Sequence, residues 1–346
     1  MLNKPLIYSA ITLTSLASLV LSISLFSAPP TAALGSSDDG ASLQQTDSGG
    51  GTVNVNVSWS YTAAGSDDSS ETPSGGEATT QTTTTVHPVC WYEPGMTGPE
   101  LSQWATSKEG QSVVALNKLS LSEDFPDWNK RASDLGGRWY NPTCSSHYFN
   151  GDQQAFSKTL DDFFSKGHVW VPEGEQPPAP LIDGAALAQA AWKAVTIPSP
   201  TVENNPKIGD SGATLVGMDT WVWATGDTPK TITATASAGP ASATVTASST
   251  GLQLSAPDGR PSCQGFGIPW HRGMPEGSSP CTILFTRSSA HLGGTTPLTV
   301  SVAYSATFTA SDGTSGPLDG ITTTNTLPIP VAEVQTLNTS GSTHNN

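Results

Sequence analysis

Thirteen residues near the C-terminus constrain the fold more than anything else in this chain. Leu298, Val300, Val302, Tyr304, Ala306, Phe308 and Ala310 alternate with threonine, serine and one alanine. A period of two places the apolar set on one face of a strand and the hydroxyls on the other. Helical geometry would scatter the same residues around a cylinder. The segment is therefore a long, half-buried strand. It needs neighbours to pair with and a second layer over its apolar face.

The surrounding sequence reads the same way. Residues 231–238 and 241–248 flank Gly239-Pro240 as a hairpin, and Trp221 and Trp223 point to one side of another strand. Turn residues recur at Asp258-Gly259, Gly293-Gly294 and Asp312-Gly313. Short strands with turns between them predict an antiparallel β-sandwich over residues 205–335, expected to fold as a unit. A connector over 177–204 precedes it. There Asp183 caps a helix through Ala185, Leu187, Ala191 and Trp192, which ends before Pro198 and Pro200.

Residues 87–176 have a different character. They hold Trp91, Trp104, Trp128, Trp139 and Trp170, five of the ten tryptophans. Thr97 and Glu100 match a capping box. Residues 153–166 predict a second helix with Phe156, Leu160, Phe163 and Phe164 on one face, a packed core rather than a cofactor box. This is a small helix-containing module. Before it, residues 34–86 are mostly Gly, Ser, Thr and Asp, which bury too little apolar surface to offset chain entropy. One island interrupts them: Val53, Val55, Val57, Trp59 and Tyr61 alternate with polar residues. That predicts an isolated strand over 52–62, expected to dock by strand addition either on the chain's own folded modules or on a neighbouring molecule. Residues 336–346 are a polar tail.

The N-terminus reads as an export signal over residues 1–33. Lys4 leads an uncharged stretch over 5–27, and Thr31-Ala32-Ala33 offers a peptidase site. The alternative is that 5–27 stays uncleaved as a membrane anchor. No second apolar run reaches the ~18 residues a span needs. The expected location is thus secreted or cell-surface. With 14 basic and 29 acidic residues the net charge is −15, which disfavours nucleic acid as a partner.

An even count of four cysteines in an exported chain argues for two disulfides. Three connectivities are possible. The spacing favours the local pairs Cys90–Cys144 and Cys263–Cys281. No two cysteines approach the C-x-x-C spacing of a zinc site.

The chemical motifs are sparse. Gly209-Asp210-Ser211-Gly212 matches the residues around a trypsin-like nucleophile, but His87, His147 and His168 sit in no His-containing motif, and a turn explains the tetrapeptide better. The six histidines show no catalytic zinc spacing. Asp258, Asp312 and Asp319 lie in predicted loops where calcium could bind, yet one or two carboxylates per loop are few for such a site. There is no phosphate-binding glycine loop. No catalytic, metal or cofactor residue is therefore expected, and the cysteines are the assigned site residues.

Two stretches carry a resemblance. One is Pro88-Val-Cys90-Trp91-Tyr92-Glu93-Pro94. The other runs from Thr220-Trp-Val-Trp223 through Ser279-Pro-Cys281 and Thr286-Arg287-Ser288-Ser289-Ala290 to Pro330-Val-Ala-Glu333. Together they resemble a group of uncharacterised exported proteins of actinobacteria, over roughly residues 50–335. The C-terminal part also resembles PKD domains, with the segment from Phe285 across Gly293-Gly294 matching their last strand pair. The resemblance implies an exported protein with an Ig/PKD-like sandwich and carries over no activity. The expected function is a non-enzymatic scaffold or adhesion protein with a protein or cell-envelope partner. The rival readings are a secreted hydrolase using Ser211 and a carbohydrate-binding module using exposed tryptophans.

Overall fold

A computed structural model describes residues 43–44, 51–64 and 80–334. The export segment 1–33 and the polar tail 336–346 lie outside the described residues.

The chain is mainly β, with antiparallel sheets and a large sheet curled into a half-barrel. It begins with β1 (Leu43–Gln44), β2 (Thr52–Ala63) and β3 (Thr80–Val86). A smaller region follows, comprising β4 (Cys90–Thr97), α1 (Gly98–Thr106), α2 (Lys108–Asn117), α3 (Leu121–Asp124), β5 (Gly137–Cys144), α4 (Gln153–Phe164) and β6 (Val169–Pro172). Helix α5 (Gly184–Ala194) leads into β7 (Thr201–Asn205), β8 (Thr214–Leu215), β9 (Asp219–Thr225), β10 (Pro229–Ala238) and β11 (Ala241–Ser248). The remainder is β12 (Leu252–Ser255), β13 (Gly259–Cys263), β14 (Cys281–Phe285), β15 (Thr296–Ala310), β16 (Ser315–Ile329) and β17 (Val331–Ala332).

The alternating segment is the centre of the large sheet. Strand β15 pairs β11 and β12 along one edge and β16 along the other. On the far side of β11, β10 pairs β2, and β2 pairs β3. The strand expected at 52–62 is thus not isolated: it sits between β10 and β3. Thr80 to Thr85, within the stretch read as too polar to fold, belong to the edge strand β3. Threonine suits a pleated, half-exposed surface, and β3 contributes the buried Val86 to the core.

Register explains the two faces. Trp59, Ala234, Val245, Phe308 and Gly316 lie directly opposite one another on the inner side. The next row outward in register is Gln81, Ser58, Thr235, Thr244, Thr309 and Ser315, on the solvent side. Hydroxyls meet across strands there, as between Thr235 and Thr244 (3.3 Å) and Ser301 and Thr324 (3.1 Å).

A four-stranded sheet, in the order β13-β14-β9-β7, contributes the other part of the core. Val222, Ala224, Ile283 and Phe285 from it join the inner face of the large sheet in one apolar cluster. Strands β14 and β15 lie in different sheets, so the segment from Phe285 to the alternating strand is not a strand pair. In β9, Trp221 and Trp223 alternate with Val222 and Ala224, and all four are buried, so both faces of that strand are covered.

Helix α5 belongs to the same cluster. Leu187, Ala188, Ala191 and Trp192 form its buried face. The sheet residues that receive it are small: Ala234, Ala236, Ala238, Ala243 and Ala247 are all buried. Close approach extends to the first turn, where a Cβ on Gly184 would lie 2.5 Å from that of Ala310. The core therefore crosses the boundary expected at residue 205 and draws on both β2 and α5.

The junction between α5 and the β15–β16 turn is held by Asp312. Its carboxylate accepts the Gly184 N–H (2.9 Å), the Thr314 N–H (2.9 Å) and the Thr314 hydroxyl (2.7 Å). Partial burial raises its pKa, but the bonds from Thr314 and Gly184 outweigh that and hold the carboxyl below its ordinary value. The contribution is full above the unfolded carboxylate value of about 3.9 and is lost as pH falls through the folded one. Asp312→Ala is expected to cost about 1 kcal/mol at pH 7, because the site is partly exposed to solvent. Denaturant titrations should show the gap between variant and parent closing below about pH 4.

In the smaller region, β4, β5 and β6 form a three-stranded sheet. Helix α1 carries the expected capping box: the Glu100 N–H donates to Thr97 Oγ1 (3.4 Å), and the Thr97 N–H donates to Glu100 Oε2 (2.8 Å). Helix α4 lays Phe156 and Phe163 against Val89, Cys90 and Tyr92, with Leu160 packed beside them. A second aromatic group brings Phe125, Trp139, Trp170 and His168 together.

His168 stacks on Phe125 at 4.1 Å, and its Nδ1 donates to the Asp124 carbonyl at 3.0 Å. Burial pushes its pKa down, and the Asp124 bond only partly opposes that. A neutral half-buried imidazole gives stability that is present above the unfolded value of about 6.5 and lost as pH falls from there towards the folded pKa. The melting temperature is expected to drop between pH 7 and pH 5, and His168→Gln to flatten that slope. An unchanged slope in the variant would assign the acid sensitivity to other groups.

Both cysteine pairs form as disulfides, Cys90–Cys144 and Cys263–Cys281. Each joins directly opposed residues of an antiparallel pair, β4 with β5 and β13 with β14. Two disulfides fit an oxidising, extracellular environment. Among the described residues, no helix is long and apolar enough to cross a membrane.

Candidate functional site

A cleft of about 370 Å³ opens where the small region meets the edge of the large sheet. One wall is the end of β3, Thr84 to Val86, continued by His87. The facing wall is one stripe of α5, with Ala186, Gln189, Ala190, Lys193 and Ala194 at intervals of three and four residues. Three alanines in that stripe leave the space. His147, Tyr148 and Asn150 close one end.

Local chemistry holds these parts in place. The His87 ring stacks on Tyr148 at 4.4 Å between centroids and 10° between planes. His147 meets the same ring edge-on at 5.1 Å. Residues 146–148 form a 3-10 turn two residues after Cys144, so the Cys90–Cys144 disulfide fixes that turn near the start of β4. Asp183 ties the closed end to the helix. It accepts the Ala186 N–H (2.9 Å) as the α5 N-cap, and also the Asn150 backbone N–H (3.1 Å) and side-chain amide (3.3 Å). Among the described residues, Lys193 is the only lysine, arginine, aspartate or glutamate lining the cleft.

The residues singled out from the sequence fall elsewhere or play other parts. Ser211 is exposed in a turn closed by reciprocal backbone bonds between Ile208 and Ala213. Of its candidate bases, His87 and His147 are in the cleft and His168 is half-buried, stacked on Phe125. Asp258 pairs with His291 at 3.0 Å, Asp312 binds Gly184, and Asp319 sits in a β16 bulge rather than a loop. The Asp319 carbonyl accepts the Trp192 indole N–H at 2.9 Å. Of the large hydrophobic residues, Trp270 is the exposed tryptophan; Trp59, Trp91, Trp139, Trp192, Trp221 and Trp223 are buried. The cleft itself was not legible in advance. His87 and His147 lie far from Lys193 in sequence, and the one available signal was the Ala186, Ala190, Ala194 spacing.

No family model, curated protein or solved structure matches the chain.

Proposed function

We propose that this chain is an exported or cell-surface protein that acts by binding rather than catalysis, as a scaffold or adhesion component of the cell envelope. The observation that carries this is the cleft between β3 and α5: a concave surface of mixed polarity joining a sheet edge to a helix face. Such a surface is built to receive another molecule. The uncharged leader and the two disulfides support export. The Ig/PKD-like sandwich and the likeness to exported actinobacterial proteins belong to the same reading.

The full chain is expected to sediment with the envelope fraction of its source cells and to resist labelling by a fluorophosphonate. Labelling at Ser211, with ester turnover lost in Ser211→Ala, would replace this reading with a hydrolase.

A further inference from the structure

Among the described strands of the large sheet, β1, β3, β12 and β16 each pair with one strand only, and the two longest of them, β3 and β16, are guarded differently. Strand β16 carries Pro317 and Pro328, an aspartate at 319, and a bulge where its register with β15 shifts. Each of these discourages a further strand from pairing. Strand β3 reads Thr-Gln-Thr-Thr-Thr-Thr-Val, with no proline, no charge and no bulge in its register with β2. Its backbone turns a row of N–H and C=O groups away from β2, and an unguarded row of that kind is a template for strand addition.

Resting on the proposed binding role, we infer that β3 is a docking edge for an extended segment of a partner protein, one that carries carboxylate side chains. The segment would pair with β3 and lie in the cleft against α5. An edge strand beside a helix is an arrangement that takes peptides by strand addition, with main-chain bonds giving affinity and alternate side chains specificity. Charge argues for the carboxylates. Among the described residues, Lys193 is the only lysine, arginine, aspartate or glutamate in the cleft. A lysine facing Lys193 would meet a like charge, whereas a carboxylate there can pair with it, a short-range contact that acts against the repulsion from the acidic remainder of the chain. Size argues for one strand. The cleft, about 370 Å³ and reaching β3 at Thr84 to Val86, has room for a few residues of one extended chain, and the rest of the segment would run along β3 outside it.

The test uses the full, disulfide-bonded chain and three blocked hexapeptides. One alternates threonine with glutamate, one alternates threonine with lysine, and one is the glutamate peptide N-methylated on alternate residues. Hydrogen exchange is expected to slow at Thr80 to Val86 with the glutamate peptide, and not with the N-methylated one. Lys193→Glu should shift the preference towards the lysine peptide by about threefold, the size of a surface ion pair. Gln189→Trp, at an exposed position, should fill the cleft and abolish protection without changing the melting temperature. Protection of β3 that rises with protein concentration alone would assign the edge to self-association and overturn the inference. So would peptide binding that leaves β3 unprotected, or no binding of any peptide. Envelope sedimentation unaffected by Gln189→Trp would overturn the cleft and leave the broader binding role standing.

Discussion

A fragment of residues 205–335 is expected to show no cooperative melt, although its strands hold the strongest periodic pattern in the sequence. The fragment lacks Val53, Val55, Val57 and Trp59 from β2, and Leu187, Ala188, Ala191 and Trp192 from α5, all buried in the shared core. Their burial contributes on the order of 10 kcal/mol. A folded domain retains about 5–15 kcal/mol in total. The truncation also opens the edge of β10 and exposes the alanine-lined face that α5 covers. Circular dichroism checks this: residues 51–334 should melt in one transition and 205–335 should not. A sharp melt of the shorter fragment would mean that β2 and α5 are accessories to a sheet that stands without them.

Replacing Cys90 and Cys144 together by alanine is expected to cost about 4 kcal/mol, since the bond closes a loop across 54 residues. The region it closes has a small core of its own, Val89, Cys90, Tyr92, Phe156 and Phe163, with little reserve. The corresponding loss at Cys263–Cys281, with a separation of 18, is expected to be about 3 kcal/mol. Denaturant titration followed by amide exchange separates local from global effects. Exchange should accelerate first across β4, β5 and α4, while β10, β11 and β15 hold. A change below about 1 kcal/mol would show that packing alone fixes the region. The first double variant should also weaken the cleft, because His147 and Tyr148 follow directly from Cys144.

Much of the local structure was legible. The alternation at 298–310 matches β15, Thr97 and Glu100 form their capping box, and Asp183 caps α5. The disulfide pairing followed from spacing, since each bond links strands that are consecutive within their own sheet, β4 with β5 and β13 with β14. The misreadings were of partners. The strand at 52–62 found neighbours along both edges, β10 and β1 on one and β3 on the other, Thr80 to Thr85 became a strand despite its polarity, and β14 and β15 parted into different sheets.

What the sequence by itself determined is which side of each element is apolar and where elements begin and end. Those properties depend on side-chain period, caps and turn residues within about ten positions of one another. Only the tertiary structure decided which strand lies beside which, that α5 enters the same core as β2, and that β3, paired on one side only among the described strands, shares a cleft with Lys193. Every strand offers the same N–H and C=O groups along both edges, so periodicity names a face and never a neighbour. The choice of neighbour is made by long-range burial: Val53 pairs with Val86, while Ala234 pairs with Trp59 and Val245, all of them buried.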